Sequence, residues 1–171
     1  SCTISPLAKM SRGRRSHEFS FLALIALLFA RLLGGSRAAS ITFDEGLHLV
    51  TGYTIIRTGD LRLEPLHAHP PLGISLSATP LLLFPDLPDP MAVEGWEIPS
   101  QSALAEAIIW QYPDQDRLLA AGRLPNILLT ILLCALAIRW SCDLFGYQGG
   151  LLTAGLVALD PNVTAHGALV T

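Results

Sequence analysis

The chain has 171 residues, of which 51% are hydrophobic and 15% charged, with a formal net charge of −3. This charged fraction lies below the roughly one quarter typical of soluble domains, and the mean hydropathy is +0.48. Both values indicate a membrane protein. The small net charge gives no indication of a nucleic-acid partner. The three cysteines, Cys2, Cys134 and Cys142, are odd in number and lack metal-ligand spacing, so they support neither a disulfide framework nor a zinc site.

A basic N-terminal stretch, residues 1–18, precedes a first apolar run over residues 19–33. Basic residues before a hydrophobic segment favour a cytoplasmic N-terminus. The run covers about 22 Å as a helix, which is short for a hydrocarbon core of about 30 Å unless the helix continues through Gly34 and Gly35. We therefore predict a first transmembrane helix over residues 19–35.

A cleaved signal peptide is the alternative to a membrane anchor at this place. Ser36-Arg37-Ala38 resembles a small-residue cleavage site. The anchor is favoured because later apolar segments also have the character of membrane segments. Arg31, near the end of the run, would then extend its charged group to the interface.

Two adjacent carboxylates, Asp44 and Glu45, begin the next predicted helix, which runs to Arg57 and stops near Gly59. Thr42 and Glu45 have the spacing of a capping box, and the helix dipole favours a negative charge in the first turn. Helix capping is therefore one explanation of both carboxylates, and it accounts for Glu45 better than for Asp44.

The same helix has one apolar side, which predicts that it lies along a membrane surface. This side is formed by Leu47, Val50, Tyr53 and Ile56. His48 lies four residues after Asp44 and shares a face with it. It is either a substrate-binding residue or an ordinary histidine of the helix surface.

A proline-rich segment follows, and it permits a new helix to start at Pro71. The apolar run over residues 72–84 is short and interrupted by Pro80, which suits an interfacial or re-entrant helix better than a full span. His67 and His69 precede it. They are either metal ligands or ordinary polar residues of the loop.

The segment over residues 85–116 contains seven acidic residues, five prolines and no basic residue. It predicts a solvated loop on the non-cytoplasmic side, with a short helix over residues 102–110. Its aromatic residues either touch the membrane interface or pack the loop. These are Trp96, Trp110 and Tyr112.

The clearest transmembrane candidate is the run over residues 117–140, with Arg123 at its entrance. A link over residues 141–149 then leads to a last apolar run over residues 150–159. Asp160-Pro161 either ends this run or kinks a continuing helix. The order predicts a basic cytoplasmic N-terminus (1–18), a first span (19–35), an external loop (36–121) and a transmembrane hairpin that leads to a truncated second external loop (122–171).

The number of spans decides whether the candidate site residues meet. If residues 72–84 stay on one side of the membrane, then Asp44, Glu45, His69, Arg123 and the residues before Thr171 lie together outside. If residues 72–84 crossed the membrane, Arg123 would be on the cytoplasmic side.

Several short motifs follow one another along the chain. They are Phe43-Asp44-Glu45-Gly46-x-His48, Gly52-Tyr53, Thr58-Gly59-Asp60, His69-Pro70-Pro71-Leu72, Gly122-Arg123-Leu124-Pro125, Leu144-Phe145-Gly146 and Ala158-Leu159-Asp160-Pro161. In this order and spacing they resemble the start of the dolichyl-phosphate-mannose protein mannosyltransferase-like family (glycosyltransferase family 39-like). The resemblance covers residues 42–171.

The resemblance implies an all-α polytopic membrane protein, the N-terminal part of a GT-C helix bundle with interfacial helices in its first external loop. The family places a catalytic acidic residue in that loop, so Asp44 takes this role and Glu45 accompanies it. His69 matches the second motif of the loop, and Arg123 the arginine heading the following span. A further acidic residue of the family lies shortly after the position of Thr171, so the chain is expected to be an N-terminal fragment.

The implied reaction moves mannose or a related hexose from a polyprenyl-phosphate donor to a hydroxyl of a protein or lipid acceptor. The membrane is a bacterial inner (plasma) membrane or the endoplasmic reticulum, with the site on the non-cytoplasmic side. The resemblance assigns no certain cofactor and leaves a requirement for a divalent cation open.

The chemistry of the residues fits this reaction independently of the family. A carboxylate such as Asp44 is a suitable base for the acceptor hydroxyl, with inversion at the sugar carbon. Arg123 and His69 are suitable donors to the departing phosphate. Arg123 as a simple interface anchor is the competing explanation.

Two other classes of protein remain as alternatives. The first is a non-catalytic membrane scaffold or subunit with an acidic external loop that binds a partner. The second is a transporter, in which charge inside the membrane marks a path. The transporter is disfavoured because Asp44 and Glu45 are predicted to lie in a loop.

Overall fold

The computed structural model describes the backbone of residues 6–63 and 71–170, and the side chains of residues 19–63 and 71–170. The described residues are helical and contain no strand, which confirms the all-α class. The α-helices are α1 (Pro6–Ala38), α2 (Phe43–Thr58), α3 (Pro71–Ala78), α4 (Gln101–Ala105), α5 (Gln115–Leu159) and α6 (Pro161–His166). Two 3₁₀-helices (Thr79–Leu83 and Pro90–Ala92) and a π-helix (Glu106–Trp110) complete the described elements.

The first apolar helix is longer than predicted, because α1 continues through Gly34 and Gly35 to Ala38. Its apolar part, Phe19–Ala38, has 20 residues and therefore extends about 30 Å, the thickness of a hydrocarbon core. Among the described residues, this part of α1 and α5 are the two helices long and apolar enough to cross a membrane.

The chain reverses direction within α5, at Gly146. This glycine has φ 71° and ψ −170°, a region of backbone space that essentially only glycine occupies. Thr153 Oγ1 donates to Ser141 Oγ at 2.9 Å, so residues 147–159 return along residues 115–145. The connection predicted over residues 141–149 is therefore found within this range but is shorter, since the helix continues to residue 145 and the reversal needs a single glycine.

α1 packs along the hairpin that α5 forms. The rings of Phe21 and Tyr147 meet edge to face with centroids 5.4 Å apart near the reversal. Towards the other end, Arg31 Nη1 donates to the carbonyl oxygen of Ala158 at 2.6 Å. Apolar side chains fill the space between, so α1 is an integral part of the described fold. The buried ones are Leu28, Leu32, Ile127, Cys134, Ala158 and Ala168.

The bounds of α2 agree with the prediction, because the helix begins after Thr42 and ends at the left-handed Gly59 (φ 71°). Much of the apolar side that the sequence predicts to lie along a membrane surface is covered by protein instead. Leu49, Val50 and Tyr53 are buried against neighbouring protein elements. An added Cβ at Gly52 would lie 2.1 Å from the carbonyl oxygen of Ile74, so the backbones of α2 and α3 approach closely.

The acidic segment contains the predicted short helix, as α4 followed by the π-helix. It is more than a solvated loop, because Leu104, Ile108 and Ile109 are fully buried on α2. Trp96, Trp110 and Tyr112 pack against the same core. The segment therefore covers α2, and carboxylates such as those of Asp86 and Glu94 remain exposed.

The residues after α6 return to the start of α2. Asn126 Nδ2 donates to the carbonyl oxygen of Leu169 at 2.8 Å, and Asn126 Oδ1 accepts from Ser77 Oγ at 3.0 Å. The backbone N–H of Val170 donates to Glu45. The predicted meeting of Glu45, Arg123 and the residues before Thr171 is thus observed. His67 and His69 lie outside the described residues.

Candidate functional site

Glu45 is fixed at the N-terminus of α2 by local and distant donors. The backbone N–H of Thr42 donates to Glu45 Oε2 at 3.0 Å, the bond that a capping box requires. The backbone N–H of Val170 donates to Oε1 at 3.1 Å. The Glu45 side chain has no exposed surface. The residue that caps α2 therefore lies in the protein interior.

Arg123 of α5 binds both oxygens of the same carboxylate. Its Nε donates to Glu45 Oε1 at 2.8 Å and its Nη2 to Oε2 at 2.6 Å. This two-bond geometry is the strong form of an arginine–carboxylate pair. The predicted capping role of Glu45 is confirmed, and Arg123 is its buried partner.

The remaining N–H groups of Arg123 bind the end of α1. Nη1 donates to the carbonyl oxygens of Ser36 at 2.5 Å and Ala39 at 3.0 Å, and Nη2 donates to that of Ser40 at 3.1 Å. Carbonyl groups at a helix C-terminus lack partners within the helix and attract a cation. Arg123 thus joins the end of α1 to the start of α2, and all five N–H donors of a guanidinium are used.

The environment of the pair keeps the Glu45 carboxylate charged. Burial alone raises the pKa of Glu45, but hydrogen bonds from Arg123 and from the backbone of Thr42 and Val170 outweigh it and hold the pKa below its ordinary value. A buried ion pair repays the cost of removing charges from water only when its geometry is good and its other polar atoms are bonded. Both conditions are met here.

Asp44 has the opposite environment from its neighbour. It is exposed in the first turn of α2, next to the exposed Phe43. Within the described part of the chain its carboxylate has no hydrogen-bond or ion-pair partner, while Glu45 uses all its acceptor capacity. Of the two predicted catalytic carboxylates, only Asp44 is therefore placed to bind a substrate hydroxyl directly.

The other predicted site residues differ in how accessible their side chains are. His48 lies one turn after Asp44 on α2 and is half-buried. Arg123 is 2% exposed, and it would have to release a present acceptor before it could bind a phosphate. His69 is outside the described residues. Over residues 19–63 and 71–170, no group of three His, Cys, Asp or Glu side chains is arranged to hold a metal ion.

Several residues of the site were not identified in the sequence. Ser36 and Val170 act through their backbones, so their side chains carry no signal. Asn126 could have been identified from the sequence, because a polar side chain within an apolar helix usually has a specific partner. The structure also shows why a residue larger than glycine does not fit at Gly46, because an added Cβ would lie 2.5 Å from the ring of Trp110.

Comparison of the chain with models of protein families, with curated proteins and with solved structures gives no match in any of the three. The resemblance drawn from the short motifs therefore stays a prediction. The geometry around Asp44, Glu45 and Arg123 is the basis for a functional proposal.

Proposed function

We propose that the chain belongs to a membrane glycosyltransferase that moves a sugar from a polyprenyl-phosphate donor to a hydroxyl of a protein or lipid acceptor. The observation that carries the proposal is the different environment of two adjacent carboxylates. Glu45 is buried and bound to Arg123, while Asp44 is exposed beside it and has no partner among the described residues. The motif resemblance supports the same reaction.

In this proposal Asp44 is the general base. It removes the proton of the acceptor hydroxyl, whose oxygen then bonds to the anomeric carbon of the sugar. The bond between that carbon and the phosphate oxygen breaks, and the phosphate leaves with the electron pair. Attack opposite to the leaving group inverts the anomeric carbon.

Glu45 and Arg123 have a positioning role in the same proposal. The pair holds the first turn of α2 against the ends of α1 and α5, so buried contacts fix the backbone that carries Asp44. Preorganised groups of this kind lower the cost of reaching the reactive geometry. Substrate binding by His48 and His69 is part of the proposal.

A membrane location is also proposed, with the site at the non-cytoplasmic surface. Phe19–Ala38 and α5 are long and apolar enough to cross a bilayer. Leu72 and Leu83 of the short helical stretch that follows residue 70 are 78% and 82% exposed, which suits contact with the interface. A donor whose lipid tail stays in the bilayer would reach a site at this level.

The deciding experiment measures sugar transfer from a polyprenyl-phosphate donor by the intact protein and its Asp44→Asn variant in reconstituted membranes. We expect a loss of about two to four orders of magnitude in rate, the usual contribution of a general base. Glu94→Gln is the matched control, because it neutralises another exposed carboxylate on the same side. Transfer retained by Asp44→Asn would exclude the proposed mechanism.

A non-catalytic membrane subunit is the second candidate, favoured by the exposed acidic side of residues 85–116. The same assay separates the two. Absence of transfer by the unmodified intact protein with mannose and related hexose donors, together with no binding of those donors, would favour the subunit.

A further inference from the structure

A cavity of about 310 Å³ lies between α1 and α6, and Arg31 is the only charged residue among the described residues that line it. Most of the remaining lining is small or apolar, including Gly35, Ala39, Ala165 and Ala168. The cavity therefore combines one guanidinium with a largely apolar wall.

Most of the hydrogen-bonding capacity of Arg31 is not used. The side chain is half-buried, and Nη1 donates once, to the carbonyl oxygen of Ala158 at 2.6 Å. A guanidinium has five N–H donors, and over the described residues no other partner of Arg31 is found. Leaving charged donors unpaired in apolar surroundings is costly, which favours an anionic ligand.

The carboxylate nearest to this contact along the chain does not neutralise Arg31. Asp160 Oδ1 accepts from the backbone N–H of Val163 at 2.8 Å and caps α6. Its carboxylate forms no ion pair with Arg31 in the described structure. The contrast with Arg123 is clear, because there all donors are bonded and the charge is matched by Glu45.

The cavity adjoins the candidate site. Its wall includes Ala39, whose carbonyl oxygen accepts from Arg123 Nη1 at 3.0 Å. Arg31 itself lies about 10 Å along α1 from Ala38, at 1.5 Å per residue. The cavity extends from Arg31 to Ala39, just past the end of the Phe19–Ala38 segment, so a lipid phosphate that enters from this end would reach Arg31.

We propose that this cavity binds the phosphate of a polyprenyl-phosphate lipid, with Arg31 donating to the phosphate oxygens and the small residues contacting the first isoprene units. The inference rests on the proposed function, since it names the place of that donor's phosphate. Charge complementarity selects a phosphate, and the apolar lining selects one that carries a hydrocarbon chain. The competing explanation is that Arg31 only caps the carbonyl end of residues 147–159.

The test measures binding of undecaprenyl phosphate, without a sugar, to the intact protein in phosphatidylcholine nanodiscs. Arg31→Gln is expected to weaken binding about tenfold or more, since a charge-assisted contact is lost. Arg31→Lys, which keeps the charge, is expected to lose less. Arg37→Gln removes an exposed arginine of the same helix and is expected to bind like the unmodified protein. Equal affinity of Arg31→Gln and unmodified protein would overturn the inference.

A second pair of variants covers the case in which Arg31→Gln does not fold. Ala165→Leu fills the cavity from an exposed position on α6 and is expected to weaken binding, whereas Ala23→Leu adds the same bulk to an exposed position of α1. Equal binding by both variants would contradict the site.

Competing ligands identify the source of the phosphate. Displacement of undecaprenyl phosphate by inorganic phosphate or by phosphatidylglycerol at equal concentration would contradict selection of a polyprenyl chain. Binding that depends on Arg31 in a protein without transferase activity would leave this inference intact and reject the proposed function. Sugar transfer that depends on Asp44 but not on Arg31 would support the proposed function and reject this inference.

Discussion

Arg123 and Glu45 lie 78 residues apart in the chain, and Nη2 of the arginine is 2.6 Å from Oε2 of the glutamate, with side chains 3% and 0% exposed. The same guanidinium binds the carbonyl end of α1. One side chain of α5 therefore fixes the relative positions of α1 and α2. The exposed neighbour of the pair, Asp44, depends on it for its position.

Arg123→Gln should strongly destabilise the protein, because it leaves the buried Glu45 carboxylate without its charged partner. Removing one member of such a pair costs about 3–5 kcal/mol. The measurement is the free energy of unfolding in detergent. Arg139→Gln is the control, since its pair with Asp143 is exposed (75% and 55%) and solvent screening leaves such a pair little effect on stability. Equal losses for the two variants would show that burial of the Arg123 pair is unimportant.

Stability should fall in acid through the titration of Glu45. Its pKa is lowered from the ordinary 4.5, so the folded state binds this proton less readily than the unfolded state. The stabilisation is then fully present above about pH 4.5 and is lost as the pH falls through the lower folded pKa.

The measurement is the unfolding midpoint followed as pH falls from about 7 to about 3. Glu45→Gln should be less stable at neutral pH and should show a smaller acid-induced change. Asp89→Asn removes another carboxyl whose pKa is lowered, here by the backbone N–H of Met91 and by Arg57. It should keep most of the acid dependence, and an unchanged acid dependence in Glu45→Gln would assign the effect to other carboxylates.

Gly146→Ala should destabilise the hairpin of α5, because a Cβ is strained at φ 71° and ψ −170°. The cost for a non-glycine residue in this region is about 1–3 kcal/mol. Gly155→Ala is the matched control: its added Cβ meets no atom within 4 Å, and alanine should stabilise a helix interior by about 0.5–1 kcal/mol. Thermal unfolding of both variants gives the comparison, and a neutral Gly146→Ala would argue against the observed reversal.

Cysteine labelling should place the acidic segment before α5 and the tip of the α5 hairpin on opposite sides of the membrane. Glu94→Cys and Gln148→Cys introduce thiols at exposed positions in a protein whose natural cysteines have been replaced by serine. An impermeant reagent applied from the non-cytoplasmic side should label position 94 and not position 148. Labelling of both positions in sealed membranes would reject the proposed crossing by α5.

Local signals made the starts and ends of several helices predictable. The capping box of Thr42 and Glu45 marks the start of α2, Gly59 marks its end, and Pro71 marks the start of α3. Each signal acts within a few residues, so it is complete in the sequence. The apolar length of α5 likewise indicated a long helix before its contacts were known.

Contacts between distant residues explain what could not be predicted. An arginine at a helix entrance looks the same in sequence whether its partner is a phosphate, a carboxylate or a set of carbonyl groups, so the sequence alone does not identify Glu45 as the partner of Arg123. The apolar side of α2 was assigned to a membrane surface because the covering residues, such as Ile108 and Ile109, lie in a segment whose composition is acidic. The glycine-rich stretch around Gly146 predicts a connection between two helices. It does not show that one glycine is enough to reverse the chain.

The Glu45 contacts imply an order of events during synthesis. The chain emerges from its N-terminus, so Glu45 is made before Arg123 and 125 residues before Val170. Until α5 appears, the backbone N–H of Thr42 is the only one of its present donors already made. We therefore expect the start of α2 to stay hydrated at first and to dock only after the α5 hairpin has formed. A mutation that delays formation of this hairpin would leave α2 without its contact to Arg123. Asp44 would then not be held in position, even though its own helix had formed.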